Sequence, residues 1–179
     1  MNFKIYHHLL NNSLTENLAK LFVETFNAPP RNETWTLQTA QEFIEENLKK
    51  DGQIIVAYAQ NGAVLGYKMG LPLKNSPLLT QFQQMVSPKL NLKEWGYYTS
   101  TVVVTKSHQG QGIGKELIKF HLAHFNNSPY KFICTRTRQD AVVINHILKQ
   151  FDFKIIGTYA AEMGGNRANR YLHIKTIKQ

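Results

Sequence analysis

The sequence predicts an α/β (α+β) fold, with a mixed β-sheet and helices packed on its faces. Between residues 97 and 125, a run rich in β-branched residues leads through a glycine-rich turn into an amphipathic helix. Another apolar strand, at residues 130–135, follows that helix. The helical crossover between them makes the two strands parallel, and it is expected to be right-handed.

The N-terminal part predicts one strand followed by two helices. Alternating apolar residues over 3–6 indicate the strand. Ser13 and Glu16 have the spacing of a capping box, and apolar residues recur at helical intervals after them. Thr34 or Thr36 is expected to cap the second helix.

The middle of the chain predicts an antiparallel hairpin. Residues 53–60 and 63–71 are rich in strand-forming side chains, and Asn61-Gly62 between them favours a type I′ turn. The proline-containing connection that follows keeps one apolar helical face over residues 78–86, which predicts a short helix.

The C-terminal part predicts one more helix and two more strands. Asp140 is expected to cap the helix. Residues 153–157 begin a strand, 164–166 form a turn, and 171–177 alternate as a closing strand.

Composition points to a single globular domain over residues 1–179, with 42% hydrophobic and 18% charged residues. The formal charge of +9 favours a polyanionic partner, but the basic residues are scattered, so no nucleic acid is expected. Cys134 is the single cysteine, which excludes an intramolecular disulfide, and we expect an inert buried thiol. With no long apolar run and no signal peptide, we expect no membrane association and a cytoplasmic location.

The glycine turn does not match two well-known phosphate loops. In a P-loop the glycines would be one residue further apart than Gly110 and Gly114, and Glu116 stands where a hydroxyl should bind Mg²⁺. A dinucleotide fingerprint would require glycine where Lys115 stands, and an acidic residue further on is missing.

Gln109, Gly112 and Gly114 do satisfy the pattern Gln/Arg-x-x-Gly-x-Gly/Ala, directly after a strand and at the start of a helix. In this respect the chain resembles the GCN5-related N-acetyltransferase (GNAT) family, whose acyl-CoA pyrophosphate motif has this form. The resemblance extends over 3–177. It implies an acetyltransferase domain with a mostly antiparallel sheet of six to seven strands, helices on both faces, and a central parallel pair that splays apart.

The resemblance also implies the activity: an N-acetyltransferase that transfers an acetyl group from acetyl-CoA to an amine by direct attack on the thioester. The acceptor would be a small amine or a peptide amine, no metal is expected, and a homodimer is left open. The backbone N–H of Val103 would stabilise the oxyanion. The residues expected to bind the cofactor are Val102, Val103, Val104, Gln109, Gly110, Gln111, Gly112, Ile113, Gly114 and Lys115.

The family's proton-transfer residues are not found at their usual positions. Leu148 stands where many members have a tyrosine that protonates the leaving thiolate, and Asp152 stands where they have a glycine. The central strand, 97–104, also lacks the glutamate that often accepts the amine proton. The general acid and base are therefore unassigned, with Tyr97 and Tyr98 as weak candidates for catalysis. Glu94, His108 and Tyr159 are further candidates for the base.

The missing acid and base motivate an alternative, a non-catalytic acyl-CoA-binding or sensing domain of the same fold. A third hypothesis, a nucleic-acid-binding module, is based on the positive charge alone. His121 and His124 have a spacing that could share a metal, but they are expected to be surface residues. Arg138 could meet a phosphate of the nucleotide. Trp35 and Trp95 could line the acceptor groove together with the two tyrosines.

Overall fold

The computed structural model describes residues 1–163 and 165–177. Seven strands form one sheet in the order β1-β2-β3-β4-β5-β7-β6. The strands are β1 (Asn2–Tyr6), β2 (Gln53–Tyr58), β3 (Val64–Pro72), β4 (Gly96–Val104), β5 (Phe132–Arg138), β6 (Lys154–Met163) and β7 (Asn166–Thr176). The helices are α1 (Asn12–Phe26), α2 (Leu37–Lys49), α3 (Leu79–Gln84), α4 (Leu92–Trp95), α5 (Ile113–Phe125) and α6 (Val142–Gln150). The turn predicted at residues 164–166 lies partly outside the described residues.

The sheet is mixed and mostly antiparallel, and its parallel pair is β4 with β5. These two strands pair only from Gly96 with Phe132 to Thr99 with Thr135. Beyond that point β4 and β5 continue without pairing to each other. The predicted fold class is confirmed, including the splayed parallel pair at the centre of the sheet.

A β-bulge in β4 explains why the two strands separate. Opposite β4, Gly70 pairs with Thr99 and Met69 pairs with Thr101, so Ser100 is an extra residue. The Ser100 hydroxyl donates to the Met69 carbonyl oxygen at 3.3 Å. A bulge bends its strand and increases the local twist. Because Ser100 follows the last residue paired with β5, β4 turns away from β5 at this residue.

The helices cover both faces of the sheet. On the face that we call the α1 face, α1 and α2 pack on Ile54, Tyr67 and Val103, and the segment with α3 and α4 packs further along the sheet. On the opposite face, the α5 face, α5 packs on β2 and β3 and also lies, with α6, against Tyr97 and Ile133. The core is thus divided by the sheet into two layers, and the β4–β5 opening lies in the sheet between them.

Helix α1 begins one residue before the predicted cap. Asn11 is the N-cap, and its side-chain oxygen accepts the N–H of Leu14 at 2.8 Å. The capping box expected from Ser13 and Glu16 is therefore wrong. Glu16 instead pairs with Lys20 one helical turn later, at 2.6 Å.

The other two predicted caps have different outcomes. Thr36 caps α2 and forms a reciprocal capping box with Thr39, which confirms one of the two threonines proposed. Asp140 does not cap α6, because its carboxylate is bound by Arg138. Helix α6 has Ala141 at its N-cap, with no side-chain cap.

The hairpin of β2 and β3 is confirmed, but its predicted turn type is wrong. The Gly62 N–H donates to the Ala59 carbonyl oxygen, and the Ala59 N–H donates to the Ala63 carbonyl oxygen. Gly62 has a φ of +83°, whereas Asn61 is not among the residues with positive φ, as a type I′ turn would require. The connection is a longer loop, next to a register shift at Ala57.

Replacing Gly70 by alanine is expected to lower the free energy of unfolding by roughly 1–3 kcal/mol, because overpacking forces the backbone to shift. The new methyl would collide with the Tyr98 carbonyl oxygen. Urea denaturation measures the change. Gly114→Ala is the matched control, since its methyl would meet Val104 at an ordinary 3.6 Å. Equal stability losses in both variants would contradict the close approach of β3 and β4 at the bulge.

Candidate functional site

A glycine turn connects β4 to α5. The Thr105 N–H ends the β3–β4 ladder by donating to the Leu65 carbonyl oxygen at 2.9 Å. Gly110 and Gly112 follow with φ values of +78° and +81°, where glycine is strongly favoured. A Cβ at either position would meet no protein atom within 4 Å. Backbone conformation therefore requires these glycines, and open space lies beside them.

Two glutamine side chains hold the turn in shape. Gln109 donates from its amide to the Val104 carbonyl oxygen at 3.1 Å, and Gln111 donates to the Ser107 carbonyl oxygen at 3.2 Å. Lys115 is exposed on the first turn of α5. The turn is thus fixed by its own polar side chains, while a cation stands beside it.

The N-terminus of α5 lies directly after this turn. Gly112 is its N-cap, and no side chain caps it. The first backbone N–H groups of a helix lack partners within the helix, and the helix dipole is positive at this end. An uncapped helix N-terminus beside two left-handed glycines forms a cradle that suits a phosphate or pyrophosphate.

The backbone N–H and C=O groups of successive β4 residues point alternately toward β3 and toward the side of β5. The Thr105 N–H donates to β3. Because the pattern repeats every second residue in an antiparallel ladder, the backbone groups of Val103 also point toward β3, where Val103 pairs with Tyr67. Val102 and Val104 then direct their N–H and C=O groups toward the opening left by β5. The oxyanion donor predicted at Val103 is untested, and the alternation favours the N–H of Val102 or Val104.

An open cavity of about 600 Å³ also borders the turn. Its lining includes Asn61 of the β2–β3 loop together with His108 and Gln111 of the turn, and no residue of β5 or α6. The cavity therefore adds room beside the cradle on the β3 side, and it is separate from the β4–β5 opening.

The two tyrosines proposed for catalysis lie on opposite faces of the sheet. Tyr97 is buried under α5, with its ring 4.7 Å from that of Phe125. Tyr98 is buried on the α1 face, with its ring 6.1 Å from that of Phe82. Burial raises the pKa of both phenols, that of Tyr97 well above its usual value. Both side chains therefore keep their proton near neutral pH.

The further candidates for a base are spread over the molecule. Glu94 is exposed on α4 and accepts from Asn91. His108 lies within the turn, where its Nδ1 is 2.9 Å from the Thr105 hydroxyl. The Tyr159 hydroxyl accepts from Arg136 at 3.0 Å and packs with the apolar cluster that contains Tyr98. Only Tyr159 of these three packs in the cluster with Tyr98, whereas Glu94 lies at the surface and His108 in the turn.

Residues 15–145 match the model of the acetyltransferase (GNAT) family. The chain belongs to the GNAT family. No curated protein matches the sequence.

Solved structures share this GNAT fold over the whole chain. One is a protein described as a phosphinothricin N-acetyltransferase, with a TM-score of 0.73 and 14% identity over 99% of this chain and 100% of that one. A ribosomal-protein-alanine N-acetyltransferase from Brucella melitensis has a TM-score of 0.73 and 13% identity over 99% and 100%. The protein yncA from Salmonella typhimurium, solved with its cofactor acetyl-CoA, has a TM-score of 0.69 and 11% identity over 100% and 96%. Because the sequence identities are low, the likeness to these structures shows the fold alone.

Leu148 and Asp152, the two residues that depart from the GNAT pattern, both have structural roles. Leu148 is buried in the cluster that contains Tyr97, so the usual tyrosine position is part of the core. Asp152 has a φ of +61° directly after α6, and the Phe153 N–H donates back to the Leu148 carbonyl oxygen at 3.1 Å. Glycine usually takes this left-handed position at a helix end. Asp152 therefore takes a backbone conformation that glycine usually takes.

The remaining residues singled out from the sequence, Cys134, Trp35 and Trp95, make contacts that stabilise the fold. Cys134 is fully buried, and burial raises the pKa of its thiol, as expected for an inert cysteine. Trp35 donates its indole N–H to Glu33 at 2.7 Å. Trp95 lies under the Lys131 ammonium at 4.4 Å. No helix in the described part of the chain combines the length and apolarity needed to span a bilayer.

A buried polar cluster that the sequence patterns did not predict lies beneath α5. His121, expected at the surface, is 1% exposed, and its Nε2 lies 2.9 Å from the side-chain amide of Gln53. Lys68 of β3 is also buried, and burial lowers its pKa to about 7. Burial, and then Lys68, hold the pKa of His121 well below its usual range. Within residues 1–163 and 165–177, no group of three or more His, Cys, Asp or Glu side chains could hold a metal.

Lys68 gives the folded protein a pH dependence. Its pKa is about 7 in the fold against an ordinary 10.5, so from pH 7 to 10.5 the unfolded chain binds more protons at this residue. The cost of burying Lys68 is therefore full below pH 7 and shrinks as the pH rises. We expect Lys68→Met to stabilise the protein most at pH 7 and progressively less toward pH 10, measured by urea denaturation. A stability difference that is constant with pH would contradict this account.

Proposed function

We propose that this protein is an acyl-CoA-dependent N-acyltransferase, an acetyltransferase that moves the acetyl group of acetyl-CoA onto an amine. One observation carries the proposal: the glycine turn and the uncapped N-terminus of α5 adjoin the part of β4 that does not pair with β5. An anion cradle and free strand amides at one opening suit a long cofactor with a pyrophosphate and an amide-containing arm. Family membership and the acetyl-CoA bound to yncA support it.

The cofactor-binding residues follow from this arrangement. The backbone N–H groups of the turn and of the first turn of α5 would donate to the pyrophosphate, and Lys115 adds positive charge. The backbone of Val102 and Val104 would bind the pantetheine arm. The proposed set is Val102, Val104, Gln109, Gly110, Gln111, Gly112, Ile113, Gly114 and Lys115. Val103, also expected from the sequence, is left out of the set because its backbone pairs with β3. Gln109 and Gln111 would act by shaping the turn.

In the proposed reaction the neutral amine attacks the thioester carbonyl carbon, a C–N bond forms, and the C–S bond breaks. An N–H of β4 that faces the opening would stabilise the negative charge that develops on the carbonyl oxygen. The leaving thiolate takes a proton from Tyr98, which solvent then replaces, and the new amide nitrogen releases its proton to water. Tyr98 suits this role better than Tyr97 because it lies on the α1 face, outside the layer under α5.

The acceptor is proposed to be an amine of a small molecule or of a peptide. Relatives of the same fold are described as acting on ribosomal-protein alanine and on phosphinothricin. Because these relatives are acetyltransferases, they do not favour the non-catalytic alternative. A homodimer and a cytoplasmic location stay predictions.

Gly112→Asp is expected to weaken acetyl-CoA binding by roughly 10-fold or more, because it adds a negative charge beside the pyrophosphate and strains a left-handed residue. Isothermal titration calorimetry measures the affinity. Gly62→Asp is the matched control, because Gly62 also has a positive φ, of +83°, and open space beside it, but lies in the β2–β3 loop outside the proposed set. It is expected to bind within about 2-fold of the parent. Unchanged binding by Gly112→Asp would refute the cradle.

Tyr98→Phe is expected to lower kcat by about 100-fold, a typical value for loss of a general acid, with acetyl-CoA affinity unchanged. A thiol-release assay across a panel of amines measures kcat. Tyr97→Phe removes the corresponding hydroxyl on the other face and is expected to leave kcat within about 2-fold. The reverse order of effects would assign the proton to Tyr97, and full activity of both variants would remove tyrosine from the mechanism.

A further inference from the structure

Four arginine side chains gather on the α1 face near the end of β5. Arg136 and Arg138 belong to β5, Arg170 belongs to β7, and Arg31 belongs to the connection between α1 and α2. All four interact electrostatically with the buried carboxylate of Glu33. We call these four residues the arginine cluster.

Two members of the cluster have clear protein partners. Arg138 donates from Nε and Nη2 to the Asp140 carboxylate at 2.9 and 2.7 Å, and from Nη1 to the Arg31 carbonyl oxygen at 3.2 Å. Arg136 donates to the Tyr159 hydroxyl at 3.0 Å. These bonds hold the two β5 arginines in place on the sheet.

Arg170 is different because its guanidinium is buried without a full set of partners. The residue is 5% exposed, and its Nε and Nη2 have no hydrogen-bond acceptor within the described residues. These two nitrogens form one edge of the guanidinium, with parallel N–H bonds that match the two oxygens of a carboxylate or phosphoryl group. A buried guanidinium left unpaired is costly. Its free edge therefore indicates an anionic partner.

The protein's own carboxylates do not balance the cluster. Glu33 accepts from the Trp35 indole at 2.7 Å, and Asp140 is exposed and bound by Arg138. Among the described residues, two carboxylates, Glu33 and Asp140, therefore interact with the four guanidinium groups. Burial lowers the pKa of Arg170, and the like charge of Arg136 lowers it further. Positive charge remains in excess around the free edge.

The cluster lies beside the opening between β4 and β5. Thr135 is the last β5 residue paired with β4, and Arg170 pairs with Arg138, three residues further on. At about 3.3 Å per residue, Arg138 is on the order of 10 Å beyond the last pair. Tyr98 packs on the same face, whereas the glycine turn leads into α5 on the other. An anion here would therefore be separate from the pyrophosphate.

We propose that Arg170 binds an acid group of the acceptor, so that the substrate is an amine that also carries a carboxylate or a phosphoryl group. The amine lies at the β4–β5 opening, and a chain of a few carbon atoms joins it to the acid group at the arginine cluster. This assignment rests on the proposed function and names the class of its acceptor.

Steady-state kinetics with saturating acetyl-CoA test the proposal directly. Acidic amines (β-alanine, γ-aminobutyrate, δ-aminovalerate and aminoethylphosphonate) are compared with n-alkylamines of equal chain length. The parent protein is expected to prefer the acidic amines, and comparison of carboxylates with the phosphonate identifies which acid group fits. Arg170→Gln is expected to raise KM for the preferred acidic amine by about 10- to 100-fold, the loss typical of hydrogen bonds to a charged group. For alkylamines kcat/KM should stay within about 2-fold.

Two further variants separate charge from structure. Arg170→Lys keeps the charge but loses the two-pronged edge, so its KM is expected to fall between those of the parent and Arg170→Gln. Arg167→Gln, at an exposed position of the same strand, is expected to leave all rates unchanged. An equal loss for acidic amines and alkylamines in Arg170→Gln would mean a structural role and overturn the proposal. A parent protein that prefers alkylamines would also overturn it.

A binding measurement keeps this proposal separate from the proposed function. With CoA present, the preferred acidic amine is expected to raise the Tm of the parent protein but not that of Arg170→Gln. If this shift is seen while no amine is acetylated, the acid-binding role stands and the proposed transfer fails. If alkylamines are acetylated and acidic amines neither raise Tm nor react better, the transfer stands and the acid-binding role is overturned.

Discussion

The extra residue in β4 is the constraint on which the rest of the site depends. Ser100 has no partner in the β3 register, and β4 stops pairing with β5 at the residue before it. Without the bulge, Val102 and Val104 would have β5 as their hydrogen-bonding neighbour. Part of one hydrogen-bonded ladder is missing from the sheet, and in the proposed function this side of β4 binds the cofactor. Gly70 makes this geometry feasible, since a side chain there would collide with the backbone of β4.

The β4–β5 opening lies between two layers, on the α1 face and the α5 face, that differ in charge. On the α5 side, the glycine turn presents backbone N–H groups, and the buried Lys68 loses its proton near neutral pH. On the α1 side, guanidinium groups outnumber carboxylates around Arg170. Part of the formal charge of +9 therefore lies in the arginine cluster, although the basic residues are scattered along the sequence. The two layers suit a phosphorylated cofactor on one side and an acidic amine on the other.

Local sequence patterns predicted the elements and the glycine turn well, because strand alternation, helical periodicity and left-handed glycines are set by short-range physics. The predicted caps were less accurate, since Asn11 caps α1 two residues before Ser13 and Arg138 binds the carboxylate of the expected cap Asp140. The arginine cluster was beyond local patterns, because Arg31 and Arg170 meet only through the tertiary fold. Lys68 did leave a signal, since it interrupts a strand that is otherwise apolar on both faces.

Amide hydrogen exchange followed by NMR, with and without acetyl-CoA, tests the central claim most directly. In the free protein the Val103 amide should exchange slowly because it is paired with β3, while those of Val102 and Val104 should exchange faster. On adding acetyl-CoA, the amides of Val102 and Val104 and of the glycine turn should slow, and Val103 should change little. Protection that appears at Val103 instead, or that leaves both β4 and the glycine turn unchanged, would contradict a cofactor site built on the opened side of β4.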